Sequence, residues 1–370
     1  MQVQGIFKKR IEKMQEELKN NNLDMVLFTD RENLIYYTGL TNIECMALII
    51  PAQGEPVSIT LWLDVPYMRK YSAISNVKGY VFPASNLGAK VVEVIKEMGY
   101  SEPTIGFGKY FVEFSVYDAL RNGLPGSKFV NATVSSYKVR AVKDEQEITL
   151  IKKASEIVIK GMEAAIDSVK PGMTEVQVLA EAEYAMRKAG SEGSTFRMQV
   201  LAGERQLLTH PYAGDNIIEN NQSVVIHLGA SYKGYVSKMA RTIALGDVHP
   251  EIRKIYEVLV EAQQAGVKAV KPLVSVKDIY SATFQVIDNA GYGKYFLDDL
   301  GHGVGIRQSE FYPIIGRTRE FTLEENMVID LMFPTIYKPG VGGSRVTDTM
   351  LVTKDGAEIF TEFTYEMIQK

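Results

Sequence analysis

The chain has 370 residues, 46% of them hydrophobic and 23% charged, with 13 prolines and a formal net charge of −4. That length is too great for one hydrophobic core and fits two domains, and the composition excludes the disordered and fibrous classes. The mild acidity offers no clustered basic surface for nucleic acid, and the single cysteine, Cys45, removes any internal disulfide framework and points to a reducing compartment.

In chain order, "MQVQGIFKKRIEKMQEELKNNN" reads as a charged amphipathic helix over 5–20, without the apolar stretch of a signal peptide. No run of about 18 apolar residues exists to span a membrane, so the expectation is a soluble, cytoplasmic protein. Strand "MVLFT", segment "NLIYYTGL", and strands "CMALIIP" and "EPVSITLW" follow. A helix over 87–98, strand "TIGFG", a helix over 113–123 and strand "KFVNA" complete this part. Such alternation predicts an α/β domain with a largely covered sheet. The boundary is expected in "SSYKVRAVKDEQE", dividing the chain into 1–135 and 136–370. There Asp144 and Glu147 have capping-box spacing, ahead of a helix with Ile148, Ile151, Val158, Met162, Ala165 and Val169 along one stripe.

The second part contains a repeat. "VKPGMTEVQVLAEAEYAMRKAG" (169–190) aligns without gaps on "VKPLVSVKDIYSATFQVIDNAG" (270–291). Each copy ends one helix at Lys-Pro, opens the next at a hydroxyl N-cap (Thr174 or Ser275) and closes it at Gly190 or Gly291. Each helix pair precedes a strand pair, "SVVIHLGASYKGYVSKMA" in the first copy and "NMVIDLMFPTIYKPGVGGSRVTDTMLVT" in the second. The prediction is a duplicated ααββ unit about a pseudo-two-fold axis, two curved sheet halves facing each other across a central pocket.

Within "VVIHLGASYKGYVSKMART", His227 and Lys238 interrupt apolar strands, near the ends of consecutive strands. A chargeable group buried in a strand is costly unless it has a partner or a task. By strand alternation Asp330 shares a face with Met332, and Arg345 with Thr347. "GHGVG" sets His302 between glycines that let backbone approach a ligand closely, and "LTHPY" puts His210 in a loop.

At these residues the sequence resembles the prolidase / aminopeptidase P / creatinase family (M24-type) along essentially its whole length. "ENLIYYTGL", "KVRAVKDEQEI", "GHGVG", "GASYKGYVSKMART" and "GGSRVTDTMLVTKDG" carry the resemblance, in order. It implies an α/β N-terminal creatinase/prolidase-like domain and an α+β pita-bread C-terminal domain with an internal pseudo-two-fold repeat. Metallopeptidases of this family hold two divalent ions with two Asp, one His and two Glu. Carried over, the Asp positions fall on His227 and Lys238, the His on His302, and the Glu positions on Met332 and Thr347. Met and Thr offer weak, uncharged donors. An ammonium at Lys238 repels each unit of cation charge by about 4 kcal/mol at 4 Å and an effective dielectric of about 20. No metal or other cofactor is therefore expected. His210 matches the family's proton-transferring histidine, Arg241 and Arg345 its arginines behind the ligands, and Asp348 the carboxylate of the closing strand. The family's second histidine after "GHGVG" falls on Ser309, and Glu310 is kept.

The expectation is a metal-independent, creatinase-like hydrolase of a C–N bond in a small acidic substrate. His210 would act as general acid/base with His302 and Lys238 as further catalytic groups. His227, Arg241, Glu310, Asp330 and Arg345 would bind the substrate. The only partners expected are that small molecule and a second copy of the chain. Two alternatives stay open: a catalytically silent, prolidase-like binding protein in which a Lys238–Asp330 pair fills the space of the ions, and an Xaa-Pro dipeptidase- or aminopeptidase-type enzyme with an atypical metal site, such as a three-His site of His210, His227 and His302.

Overall fold

The computed structural model describes the chain except residues 1, 43–45, 110–111, 194–197, 209–210 and 333–335, and the side chains of residues 2–4 and 332. Packing divides it into two units, Met1–Arg140 and Ala141–Lys370.

The first unit runs α1 (Gln2–Asn20), β1 (Met25–Phe28), α2 (Arg31–Thr38), β2 (Ala47–Pro51), β3 (Val57–Leu61), α3 (Val65–Tyr71), β4 (Val77–Tyr80), α4 (Leu87–Glu97), β5 (Thr104–Phe107), α5 (Phe114–Gly123), β6 (Lys128–Asn131) and α6 (Thr133–Ala141). Its strands form one sheet in the order β4-β3-β2-β1-β5-β6. All four residues of β1 are buried, which explains its unbroken "MVLF" rather than an alternating pattern. "NLIYYTGL" lies largely in α2, where the Asp30 carboxylate accepts from the Asn33 backbone N–H at 3.1 Å. The expected boundary at 135/136 falls inside α6.

The second unit runs α7 (Glu145–Ser168), α8 (Glu175–Lys188), β7 (Gln199–Ala202), β8 (Gln222–Tyr232), β9 (Tyr235–Leu245), α9 (Pro250–Ala269), α10 (Val276–Asn289), β10 (Asp299–Gly303), β11 (Glu310–Gly316), β12 (Val328–Met332), β13 (Ile336–Lys338), β14 (Gly342–Ser344), β15 (Thr347–Thr353) and β16 (Gly356–Ile359). The repeat is visible in its details. Asp144 and Glu147 close a capping box at α7, and Thr174 and Gln177 close another at α8. Ser275 caps α10, and Gly190 and Gly291 take the left-handed φ values, 105° and 84°, that end these helices.

The two halves do not face each other as separate sheets. One sheet runs β11-β10-β12-β15-β9-β8-β7, and the halves join edge to edge where Thr347 of β15 meets Ala240 of β9. The Thr349 hydroxyl reinforces this seam, donating to the Lys238 carbonyl at 2.8 Å. Helices α7 to α10 pack on one face. Val158, Met162 and Val178 pack on Ile226, Leu228 and Ile243 in one half, while Ile255, Leu259 and Ile279 pack with Ile329, Leu331 and Met350 in the other. The alternate residues of the same strands, His227, Lys238, Asp330, Thr347 and Thr349, therefore share the opposite face.

Candidate active site

The β8–β9 hairpin is paired without a bulge from Gln222↔Leu245 to Tyr232↔Tyr235. His227 stands opposite Ala240, and Lys238 opposite Gly229, which makes the two side chains diagonal neighbours on one face. Both lie in strand interiors rather than near strand ends. The Lys238 ammonium forms an ion pair with Oδ2 of Asp330 on β12 and donates to Ser309 Oγ at 3.1 Å. The other Asp330 oxygen accepts from the His302 backbone N–H at 2.9 Å. With side chains 1% and 0% exposed, these two charges would be costly apart. Together with added hydrogen bonds they are tolerated. Gly301 is required beside them, because a Cβ there would collide with the Asp330 carbonyl.

A second buried cation lies next to the pair. Arg345 Nη1 donates to Gln199 Oε1 at 2.6 Å and is 3.1 Å from His227 Nδ1. A guanidinium has no acceptor, so Nδ1 must accept and the neutral imidazole carries its proton on Nε2. Burial, then the charges of Arg345 and Lys238, hold the His227 pKa well below its ordinary value. Burial alone pushes Arg345 down to about 10. His302 is half-buried, and its pKa is lowered mainly by burial, with the Asp330 charge opposing. Its Nδ1, like the Thr347 hydroxyl, is buried with no hydrogen-bond partner among the described residues.

The face so assembled contains His227, Lys238, His302, Asp330 and Arg345. Arg241 does not belong to it. It lies three residues from Lys238 and so points to the helix face, where Nη2 pairs with Asp348 Oδ1 at 2.9 Å. Gln263, Thr361 and Tyr365 complete the shell of Asp348. Arg241 braces the sheet from behind and cannot bind a substrate on the opposite face. Glu310 is buried beside Gly305, which Lys143 also approaches. His210 and the side chain of Met332 lie outside the described residues.

Two contributors were missed in the sequence. Gln199, a lone amide in the buried strand "QVLA", holds Arg345 with its oxygen and donates to the Pro211 carbonyl at 3.2 Å. Glu175 has the form of an ordinary first-turn acid of α8. Its fully buried carboxylate instead accepts from Ala202 N, Arg205 Nε, Gly214 N and Asn216 Nδ2, gripping both sides of the stretch that includes His210. The signal for Gln199 was a polar residue in an apolar strand, whereas Glu175 left none.

This donor set does not fit a pair of divalent ions. Among the described residues no three His, Cys, Asp or Glu side chains are grouped to hold a metal. Among the described residues the carboxylate nearest the histidines, Asp330, is committed to Lys238. His227 Nδ1 is committed to Arg345.

Residues 149–354 match the model of metallopeptidase family M24, and residues 10–142 match the creatinase/prolidase N-terminal domain. The chain belongs to family M24. An Xaa-Pro dipeptidase of Pyrococcus horikoshii is 34% identical over 363 residues, 98% of this chain and 99% of that protein. Among solved structures, an Xaa-Pro dipeptidase from Bacillus anthracis superposes with a TM-score of 0.91 at 28% identity, covering 98% of this chain and 100% of that one. The prolidase from Pyrococcus horikoshii OT3 gives 0.87 at 31% identity, covering 97% and 100%. The M24 chain described here thus keeps the family's two-part architecture and pita-bread fold.

Proposed function

We propose that this M24 chain is a peptidase-type hydrolase that cleaves a C–N bond in a small, dipeptide-like substrate carrying a carboxylate. The near-complete likeness in length and fold to Xaa-Pro dipeptidases carries this reading. The substrate class follows those dipeptidases rather than creatine, whose guanidinium would want carboxylates where Met332 and Thr347 stand. The reading assigns no step to a dinuclear metal centre. His210 is assigned proton transfer by its place in the motif, Lys238 and His302 form the polar floor, and Arg345 and His227 orient the substrate. The cluster is suited to this work because its imidazoles stay neutral and its cations are fixed by partners before any substrate arrives.

One observation favours a second reading. The Lys238–Asp330 pair closes on itself, so the same face would also serve a protein that binds a peptide-like ligand without cleaving it. The deciding assay is hydrolysis of a panel of Xaa-Pro and other dipeptides by purified protein, with and without EDTA and with added Mn2+, Co2+ or Zn2+. Turnover that survives EDTA is the expected result. Turnover that requires a metal would replace this reading with an atypical metallopeptidase. Binding of dipeptides with no cleavage under any condition would replace it with the binding protein.

A further inference from the structure

The charges on the site face do not balance. Lys238 is answered by Asp330, and Arg241 with Asp348 belongs to the other face. Glu310 and Lys143 both approach Gly305, one acid and one base. Arg345 is left over. Only 5% of it is exposed, its Nε has no hydrogen-bond partner, and among the described residues no carboxylate lies within ion-pair distance. The undescribed residues of this unit are Ser194, Thr195, Phe196, Arg197, Thr209, His210, Phe333, Pro334 and Thr335, none of them acidic. The partners Arg345 does have, the Gln199 oxygen and His227 Nδ1, are both uncharged. A buried guanidinium with only neutral acceptors is an expensive arrangement unless an anion completes it.

We propose that the corner formed by Arg345, His227 and Gln199 is an anion site that takes the carboxylate of the ligand. Among the described residues the uncompensated charge is a single one, which matches a monoanion better than a phosphate dianion. The planar fork of Arg345 suits the two oxygens of a carboxylate better than a spherical ion. The neutral state of His227 leaves the Arg345 charge unanswered by the protein, and Gln199 fixes the guanidinium before a ligand arrives. The inference rests on reading this face as a ligand site, and it adds which group of the ligand is held and where. Substrates with a free carboxylate near the scissile bond are then preferred over their esters and amides.

The test is thermal unfolding at constant ionic strength in sodium acetate, sodium phosphate or sodium chloride. Acetate should raise the melting temperature saturably, by roughly 3 °C, with smaller effects of the other two salts. His227→Asp supplies a carboxylate from within, so this variant should melt higher than the parent in chloride and lose the acetate response. Arg345→Lys keeps the charge without the fork, and should need at least fivefold more acetate. Equal stabilisation by acetate and chloride, or an unchanged acetate response in His227→Asp, would overturn the proposal. So would a phosphate response stronger than that to acetate. Acetate binding without dipeptide turnover would count against the hydrolase and leave the anion site standing. Turnover of dipeptide amides as fast as of free acids would do the reverse.

Discussion

Lys238 and Asp330 depend on each other because neither can reach water. Lys238→Met strands the Asp330 carboxylate among the buried strands and should cost about 3–5 kcal/mol in urea unfolding. Lys238→Met combined with Asp330→Leu should recover most of that loss, since the removal of both charges leaves nothing to desolvate. A single variant as stable as the parent would mean that the pair does not hold the sheet. The two site histidines give a pH signature. Burial lowers the pKa of both, that of His227 more strongly, while in the unfolded chain they titrate near 6.5. Below that pH the unfolded chain binds the extra protons, so stability rises with pH through this window and falls as the pH drops below about 6.5. Each histidine contributes at most about 1.4 kcal/mol per pH unit, and half-buried His302 contributes less. His227→Gln, which keeps an acceptor for Arg345, should remove the larger part of the slope in unfolding free energy between pH 5 and 7.5. A slope equal to that of the parent would show that His227 is not the group being protonated.

At the scale of elements, capping and alternation explain most of what could be read ahead of the structure. The capping box of Asp144 with Glu147, the N-caps Thr174 and Ser275, and the closing glycines are local devices, and they stand where the pattern put them. The same alternation also separates Lys238 from Arg241, because an odd spacing in a strand sends two side chains to opposite faces. Grouping both arginines with the substrate overlooked that rule, and only Arg345 is on the site face. Glu175 shows the opposite limit. Its four donors come from residues 202 to 216, and nothing local marks the convergence. Glu175→Gln should cost about 2–3 kcal/mol, since a buried carboxylate accepting from a guanidinium is replaced by a neutral amide. It should also speed limited proteolysis between Gly203 and Asn216. Wild-type stability and protease resistance in this variant would remove its bracing role.

Across the whole molecule, the two ααββ copies behave as one sheet and not as two facing ones. The β9–β15 seam is a contact between residues about a hundred positions apart, and no periodicity within either copy specifies it. Among the described residues no helix is long and apolar enough to cross a membrane. The sequence by itself determined the two-part α/β and pita-bread architecture and the duplication, and it sets His, Lys, Met and Thr at residues 227, 238, 332 and 347. The duplication follows from short-range patterns, and the architecture from the resemblance of successive motifs to the M24 family. Only the tertiary structure decided that Lys238 is paired with Asp330 and Ser309, that Arg241 stands behind the sheet, and that Gln199 and His227 leave the Arg345 charge unanswered. Charge balance in a buried site is a sum over strands brought together by folding, and the order of residues along the chain does not contain it.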